Sequence, residues 1–102
     1  MWINIDSGKA IGQIGSENGQ ILLDEEYENS CRVTLEKEGA TAPFSITCGI
    51  YGLMVHTAFF GDETEANAAY MQIKQELQAF INSDDGNING EEDWCKQFVS
   101  HW

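Results

Sequence analysis

The chain has 102 residues, of which 42% are hydrophobic and 11% aromatic, so it can bury a core without needing disulfides or a metal. Its 17 acidic residues against 5 Lys and Arg give a formal net charge of −12, which argues against binding to nucleic acids or to anionic membrane surfaces. The 3 cysteines are an odd number without CxxC spacing, which argues against a disulfide framework and a zinc ribbon.

The first third of the chain predicts short strands separated by turns. Residues 2–5 (WINI) fit an edge strand, residues 10–14 a second strand and residues 20–24 a third. Residues 24–30 (DEEYENS) are acidic and rich in turn formers. We therefore expect an acidic turn after the third strand.

Residues 31–37 show the clearest alternation in the chain. Three apolar side chains fall on one face and three polar ones on the other: Cys31, Val33 and Leu35 against Arg32, Thr34 and Glu36. This pattern predicts an antiparallel strand with one wet face.

Residues 43–60 predict a hairpin that reverses at Tyr51 and Gly52. Its second arm is apolar on both faces, apart from His56 and Thr57. Such a strand is typical of the middle of a sheet or of a position under a helix.

After Gly61 the hydrophobic period changes from that of a strand to that of a helix. An apolar stripe predicts a long helix over about 63–82, and a second one predicts a short helix over about 91–102. Strands within 2–60 followed by two helices predict a single α+β domain over 1–102. We expect an antiparallel meander of about five or six strands with both helices packed on one face.

Between the two predicted helices, residues 85–93 (DGNINGEED) resemble the EF-hand calcium loop. The ligands in that register would be Asp85, Asn87, Asn89, Glu91 and Asp93. Lys96 occupies the position of the bidentate glutamate, so the resemblance implies weak Ca²⁺ binding. The alternative is an Asx- and Gly-rich turn that needs no cofactor.

Cys48 and His56 fall on neighbouring arms of the hairpin and could form a Cys/His nucleophile pair. Cys48 alternates with apolar residues, however, which favours a structural thiol beside a core histidine. The phosphate-binding, nucleophile-elbow and zinc-protease motifs are missing from the sequence. The sequence thus assigns no catalytic residue.

We expect a non-catalytic acidic protein that binds a basic protein partner, resembling immunity proteins or antitoxins in size and charge only. Its first contacts would be the acids Asp24, Glu25, Glu26 and Glu28. The tryptophans Trp2 and Trp102 offer a homodimer surface as a further prediction. The N-terminus lacks a secretory pattern, so we expect a cytoplasmic, bacterial-type protein.

Two other classes of function remain open. One is a weak calcium-binding module that uses the 85–93 loop. The other is a small-molecule binder or small enzyme with a pocket between the sheet and the long helix, where Tyr51, His56 and Tyr70 would supply the polar groups.

Overall fold

The computed structural model describes residues 1–83 and 88–102 and confirms the predicted α+β fold. In chain order the elements are β1 (Trp2–Asn4), a 3-10 turn (Ile5–Gly8), β2 (Gln20–Tyr27), β3 (Cys31–Lys37), β4 (Phe44–Ile50), β5 (Met54–Phe60), α1 (Glu63–Asn82) and α2 (Ile88–His101). The α1 helix has the predicted bounds, whereas α2 begins before the predicted position 91.

The five strands form one antiparallel sheet in the order β1-β2-β3-β4-β5, so every strand pairs with its neighbour in the chain. Cross-strand pairs align Val33 with Cys48 and Cys48 with His56. Because directly paired residues point to the same side of a sheet, Val33, Cys48 and His56 share one face, and Thr34, Thr47 and Thr57 share the other.

The core lies between the helices and one face of the sheet. The sheet contributes Val33, Leu35 and Ile46, all at most 1% exposed. The apolar stripe of α1 is buried against them through Ala66, Ala69, Tyr70, Ile73 and Leu77. From α2, Phe98 is also buried in this cluster. Apolar burial on one side of the sheet thus holds both helices there.

The α1 helix begins where Asp62 caps it. The Asp62 carboxylate accepts a hydrogen bond from the backbone N–H of Glu65 at 2.7 Å. This bond satisfies one of the free N–H groups of the first turn.

The predicted strand over 10–14 is wrong. The segment forms turns and makes a single isolated bridge from Ile14 to Gln20. Gly8 and Gly12 have φ values of 87° and 91°, a left-handed backbone that breaks an extended chain. We call residues 9–19 the covering segment, because they fold back over the start of β2 and the end of β3 through bonds such as Gly12 N–H to Ile21 O and Gly19 N–H to Glu36.

The predicted acidic turn over 24–30 is also corrected, since residues 24–27 belong to β2. A register shift between Ile21 and Leu23 interrupts the regular alternation. Asp24 then pairs with Thr34 and Glu26 with Arg32. Strand pairing and these polar contacts override the turn preference of the acidic sequence.

Of the two positions that the apolar sequence of β5 predicts, the middle of the sheet is wrong, because β5 is an edge strand, whereas a position under a helix is found on one of its faces. Val55 is 81% exposed and Phe59 is 45% exposed. The sequence shows that both faces of this strand are apolar, but it does not show whether another element packs on each face. In β5 the helix side is covered, and the opposite side reaches solvent.

Candidate functional site: the open face of the sheet

We call the side of the sheet that faces away from α1 and α2 the open face. The covering segment lies over its β2–β3 half. Between this segment and the β4–β5 hairpin lies a groove of about 680 Å³. Ile14, Gly15 and Ser16 line one side of the groove, and residues 51–55 line the other.

The hydroxyl groups of Thr34 and Thr47 lie on the floor of the groove, and Thr57 continues their row beyond it. Thr34 pairs with Thr47, and Thr47 pairs with Thr57 on β5. The Oγ1 atoms of Thr47 and Thr57 are 3.2 Å apart, which is a hydrogen bond between strands. Exposed Ile14 and Val55, at 70% and 81%, stand beside this floor. The groove therefore combines apolar walls with a hydroxyl floor, as ligand and peptide sites do.

Arg32 lines the groove, but its charge is neutralised within the protein. Its Nε and Nη2 atoms donate to the two carboxylate oxygens of Asp24 at 2.8 and 2.6 Å. The hydroxyl of Thr34 also donates to Asp24, at 3.0 Å. The bond to Asp24 raises the pKa of the Arg32 guanidinium, so the arginine stays charged. This fork of hydrogen bonds fixes the β2–β3 edge of the groove.

Tyr51 closes the hairpin end of the groove. Its hydroxyl donates to the Glu26 carboxylate at 2.5 Å. Desolvation and this bond raise the pKa of Tyr51 to about 12. At neutral pH the tyrosine is therefore an uncharged group that holds Glu26 at the rim.

A buried carboxylate anchors the covering segment to the sheet. Glu36 is 1% exposed, which corrects its predicted place on a wet face. Its Oε1 atom accepts the backbone N–H groups of Glu17 and Gly19 at 3.2 and 3.1 Å. Glu36 thus helps to hold the groove wall at Ile14 to Ser16, together with the backbone hydrogen bonds between this segment and β2.

Two buried oxygens near this anchor, Glu36 Oε2 and Ser45 Oγ, have no hydrogen-bond partner among the described residues. Glu36 and Ser45 are opposite each other on β3 and β4. Gly15 packs directly onto the same carboxylate, since a Cβ atom at Gly15 would lie 2.5 Å from the Glu36 carboxyl carbon. Close approach of the backbone here requires glycine.

The four acids predicted as first partner contacts do not form one surface. Asp24 is buried beneath Arg32, and Glu25 lies on the helix side, where Lys74 Nζ is 3.0 Å away. Tyr70 donates to Glu25 as well, at 2.8 Å. Glu26 bonds Tyr51, and exposed Glu28 lies 2.7 Å from the Met1 amino group. Each of these four acids has a partner within the chain.

The predicted calcium ligands fall partly outside the described residues, since Asp85 and Asn87 lie there. Asn89, Glu91 and Asp93 lie within α2. Over 1–83 and 88–102, no group of three His, Cys, Asp or Glu side chains is placed to hold a metal ion. Calcium binding by this loop stays a prediction.

Cys48 and His56 are directly opposite each other on β4 and β5. The thiol donates weakly to the backbone oxygen of His56, at 3.6 Å, rather than to the imidazole. Burial raises the pKa of Cys48 to about 12. A thiol that stays protonated at neutral pH is a poor nucleophile, which favours a structural role.

Tyr51, His56 and Tyr70 do not converge on a pocket between the sheet and α1. Tyr51 borders the groove on the open face, while His56 lies on the helix side of β5. Tyr70 is 1% exposed, and its ring fills the sheet–helix interface. The groove on the open face is one concave site of the described residues, and a second, between the hairpin turn and the end of α1, is lined by Tyr51 but by neither His56 nor Tyr70.

Sequence reasoning missed the groove residues Ile14, Thr34, Thr47 and Val55. The available signal was a threonine at a polar position in three successive strands. Only the cross-strand register, which places Thr34, Thr47 and Thr57 in one row, turns that signal into a site.

Comparisons of the chain with protein-family models, with curated proteins and with solved structures find no match. In the part of the chain that the structure describes, no helix combines the length and the hydrophobicity needed to cross a membrane.

Proposed function

We propose that the protein is a non-catalytic interaction protein that binds a basic protein partner on the open face of its sheet. The carrying observation is the groove with a hydroxyl floor between exposed Ile14 and Val55, on a molecule of net charge −12. Small immunity proteins and antitoxins are the class that this size and charge suggest.

The charge distribution supports a basic partner. Arg32 and Lys74 form ion pairs with Asp24 and Glu25, and Lys96 lies 3.4 Å from Glu92. Three of the 5 basic residues are thus paired with acids, and the surplus of acids dominates the field around the molecule. Such a field accelerates the encounter with a cationic partner, while apolar burial in the groove supplies affinity.

The thiol chemistry supports binding rather than nucleophilic catalysis. Burial raises the pKa of Cys31 to about 11 and that of Cys48 to about 12. Both thiols are therefore protonated at neutral pH, and both lie in the core beneath the helices.

A homodimer through Trp2 and Trp102 is the less favoured alternative. The Trp2 ring packs on Tyr27, and its indole N–H donates to Gln78 at 3.0 Å. The Trp102 indole N–H lies 3.4 Å from the Glu76 carboxylate. Both rings pack within the chain at the edges of the core. They therefore leave less exposed apolar area for contact with a second copy of the protein.

A selection from a random peptide library displayed on ribosomes tests the proposed function. We expect the selected peptides to combine Lys or Arg with β-branched and aromatic residues, and their affinity to fall as NaCl is added. Val55→Glu should lower the affinity of the selected peptides at least tenfold. Met71→Glu is the matched control, because Met71 is another exposed apolar residue (55%), on α1. Selected peptides without basic residues, or with equal affinity for Val55→Glu, would contradict the proposal.

A further inference from the structure

The sheet has two edges of very different character. β1 is only 3 residues long. β5 has 7 residues, and the sequence from Met54 to Phe60 contains no Asp, Glu, Lys, Arg or Pro. Within residues 1–83 and 88–102, β5 pairs with β4 alone. Natural proteins usually protect a long edge with charge, proline or a bulge, so an unprotected edge indicates a place for another strand.

We infer that β5 receives an extended segment of the basic partner as a sixth, antiparallel strand. This inference rests on the proposed function for the charge of its partner. Main-chain hydrogen bonds along β5 would supply affinity, and alternate side chains of the incoming strand would supply specificity. All pairings in the sheet are antiparallel, so the same geometry extends the sheet with its existing twist.

Charge at one end of β5 sets the direction and composition of the incoming strand. β5 ends at Phe60, and three exposed acids follow at Asp62, Glu63 and Glu65. In an antiparallel pair, the N-terminal end of the incoming strand lies beside Phe60. Its lysines or arginines should therefore precede its apolar residues.

Side chains on the open face extend the groove towards this edge. Val55, Thr57 and Phe59 lie on that face in the register of β4 and β5. Val55 is 81% exposed and Phe59 is 45% exposed, so both present apolar surface next to an added strand. Cross-strand neighbours of these residues should be β-branched or aromatic.

A second copy of the chain fits this edge less well. Each copy carries a net charge of −12, and β5 itself brings no cation to offset the repulsion. A basic segment removes this repulsion and places its positive end beside the acids that follow Phe60. The charge balance therefore selects a basic partner over self-pairing.

Synthetic peptides test the inference directly. The parent peptide has two lysines followed by six residues of alternating valine and threonine. Two isomers of it carry N-methyl groups on one or the other set of alternate residues. Only one set of amides in an added strand faces β5, so one isomer should bind at least tenfold more weakly and the other like the parent. Amide exchange in uniformly ¹⁵N-labelled protein should slow at alternate β5 residues.

Two further comparisons test the charge argument. Moving both lysines to the C-terminal end of the peptide should weaken binding about three- to tenfold, the effect of losing exposed ion pairs. Glu63→Lys combined with Glu65→Lys should abolish this preference for lysine position. Glu91→Lys with Glu92→Lys is the control, because it makes the same charge change on α2.

Several results would overturn strand addition at β5: equal binding of both N-methylated isomers, protection confined to residues outside β5, or an absence of binding at millimolar peptide. A concentration-dependent dimer in sedimentation equilibrium that the peptide competes away would overturn the choice of a basic partner, in favour of self-pairing through the same edge. The proposed function fails separately, if a lysine-free peptide binds as tightly as the parent and without salt dependence.

Discussion

Asp24 is a carboxylate at 1% exposure whose negative charge is balanced by the Arg32 guanidinium. The side chain of Arg32 is 44% exposed, so water reaches one side of the pair and screens it in part. Removing Arg32 leaves the buried charge of Asp24 with only the Thr34 hydroxyl. A half-exposed arginine therefore compensates a buried charge on the open face.

We expect Arg32→Leu to lower the free energy of unfolding by about 3 kcal/mol, the lower end of the range for breaking a buried pair. Thr34→Val should lower it by about 1 kcal/mol, because it removes one hydrogen bond. Asp24→Leu with Arg32→Leu should recover much of the loss, since no charge is then left unpaired. Urea unfolding at pH 7 measures all three variants. An Arg32→Leu variant as stable as wild type would show that Asp24 is compensated elsewhere.

Two cysteine thiols and two tyrosine hydroxyls with raised pKa values predict how the free energy of unfolding changes at alkaline pH. The pKa rises from 9.0 to about 11 for Cys31 and to about 12 for Cys48, and burial also raises the pKa of Tyr70 and of Tyr51. In each case the unfolded chain releases its proton at a lower pH than the folded protein. Stability should therefore be complete below about pH 9 and fall as the pH rises towards 12.

Cys48→Ala isolates one contribution to this pH dependence. Between neutral pH and pH 11, the free energy of unfolding should fall by about 2–3 kcal/mol more in wild type than in the variant. One pKa unit corresponds to about 1.4 kcal/mol. Denaturant unfolding at pH 8, 9, 10 and 11 gives both curves. Parallel curves for the two proteins would contradict the raised pKa of this thiol.

At the scale of elements, the covering segment is held to the sheet mainly by polar contacts rather than by a core of its own. Glu36 accepts two of its backbone N–H groups, and Gly15 lies against the same carboxylate. Ile11 and Ile14 of this segment are exposed at 44% and 70%. Such a segment should open without unfolding the rest of the protein.

Gly15→Ala should therefore loosen the covering segment selectively. The new methyl group would lie 2.5 Å from the Glu36 carboxyl carbon, and Glu36 is too buried to move aside easily. We expect faster amide exchange at Glu17 and Gly19, with little change in the core of α1. Gly61→Ala is the matched control, because no atom lies within 4 Å of a Cβ atom there. Equal exchange rates in Gly15→Ala and wild type would show that the anchor tolerates displacement.

The sequence predicted the elements whose patterning agrees with their surroundings. The 63–82 helix and the strand over Cys31–Lys37 both appear with the expected bounds, because a continuous apolar stripe meets a continuous core. It failed where tertiary contacts decide. A register shift and the bond to Arg32 place Asp24 in a strand, and a fold-back segment buries Glu36. The groove was out of reach because it needs the register of three strands and the position of the covering segment.

For the whole molecule, repulsion among the 17 acids is the dominant long-range electrostatic effect. We expect the melting temperature to rise as NaCl increases from 10 to 300 mM, because the screening length shortens from about 30 Å to under 8 Å. Salt should screen the ion pairs of Asp24 with Arg32 and of Glu25 with Lys74 only slightly, since both carboxylates are mostly buried. KCl should act like NaCl, which separates screening from binding of a particular cation. A melting temperature that falls with salt would mean that these ion pairs outweigh the repulsion of the surface acids.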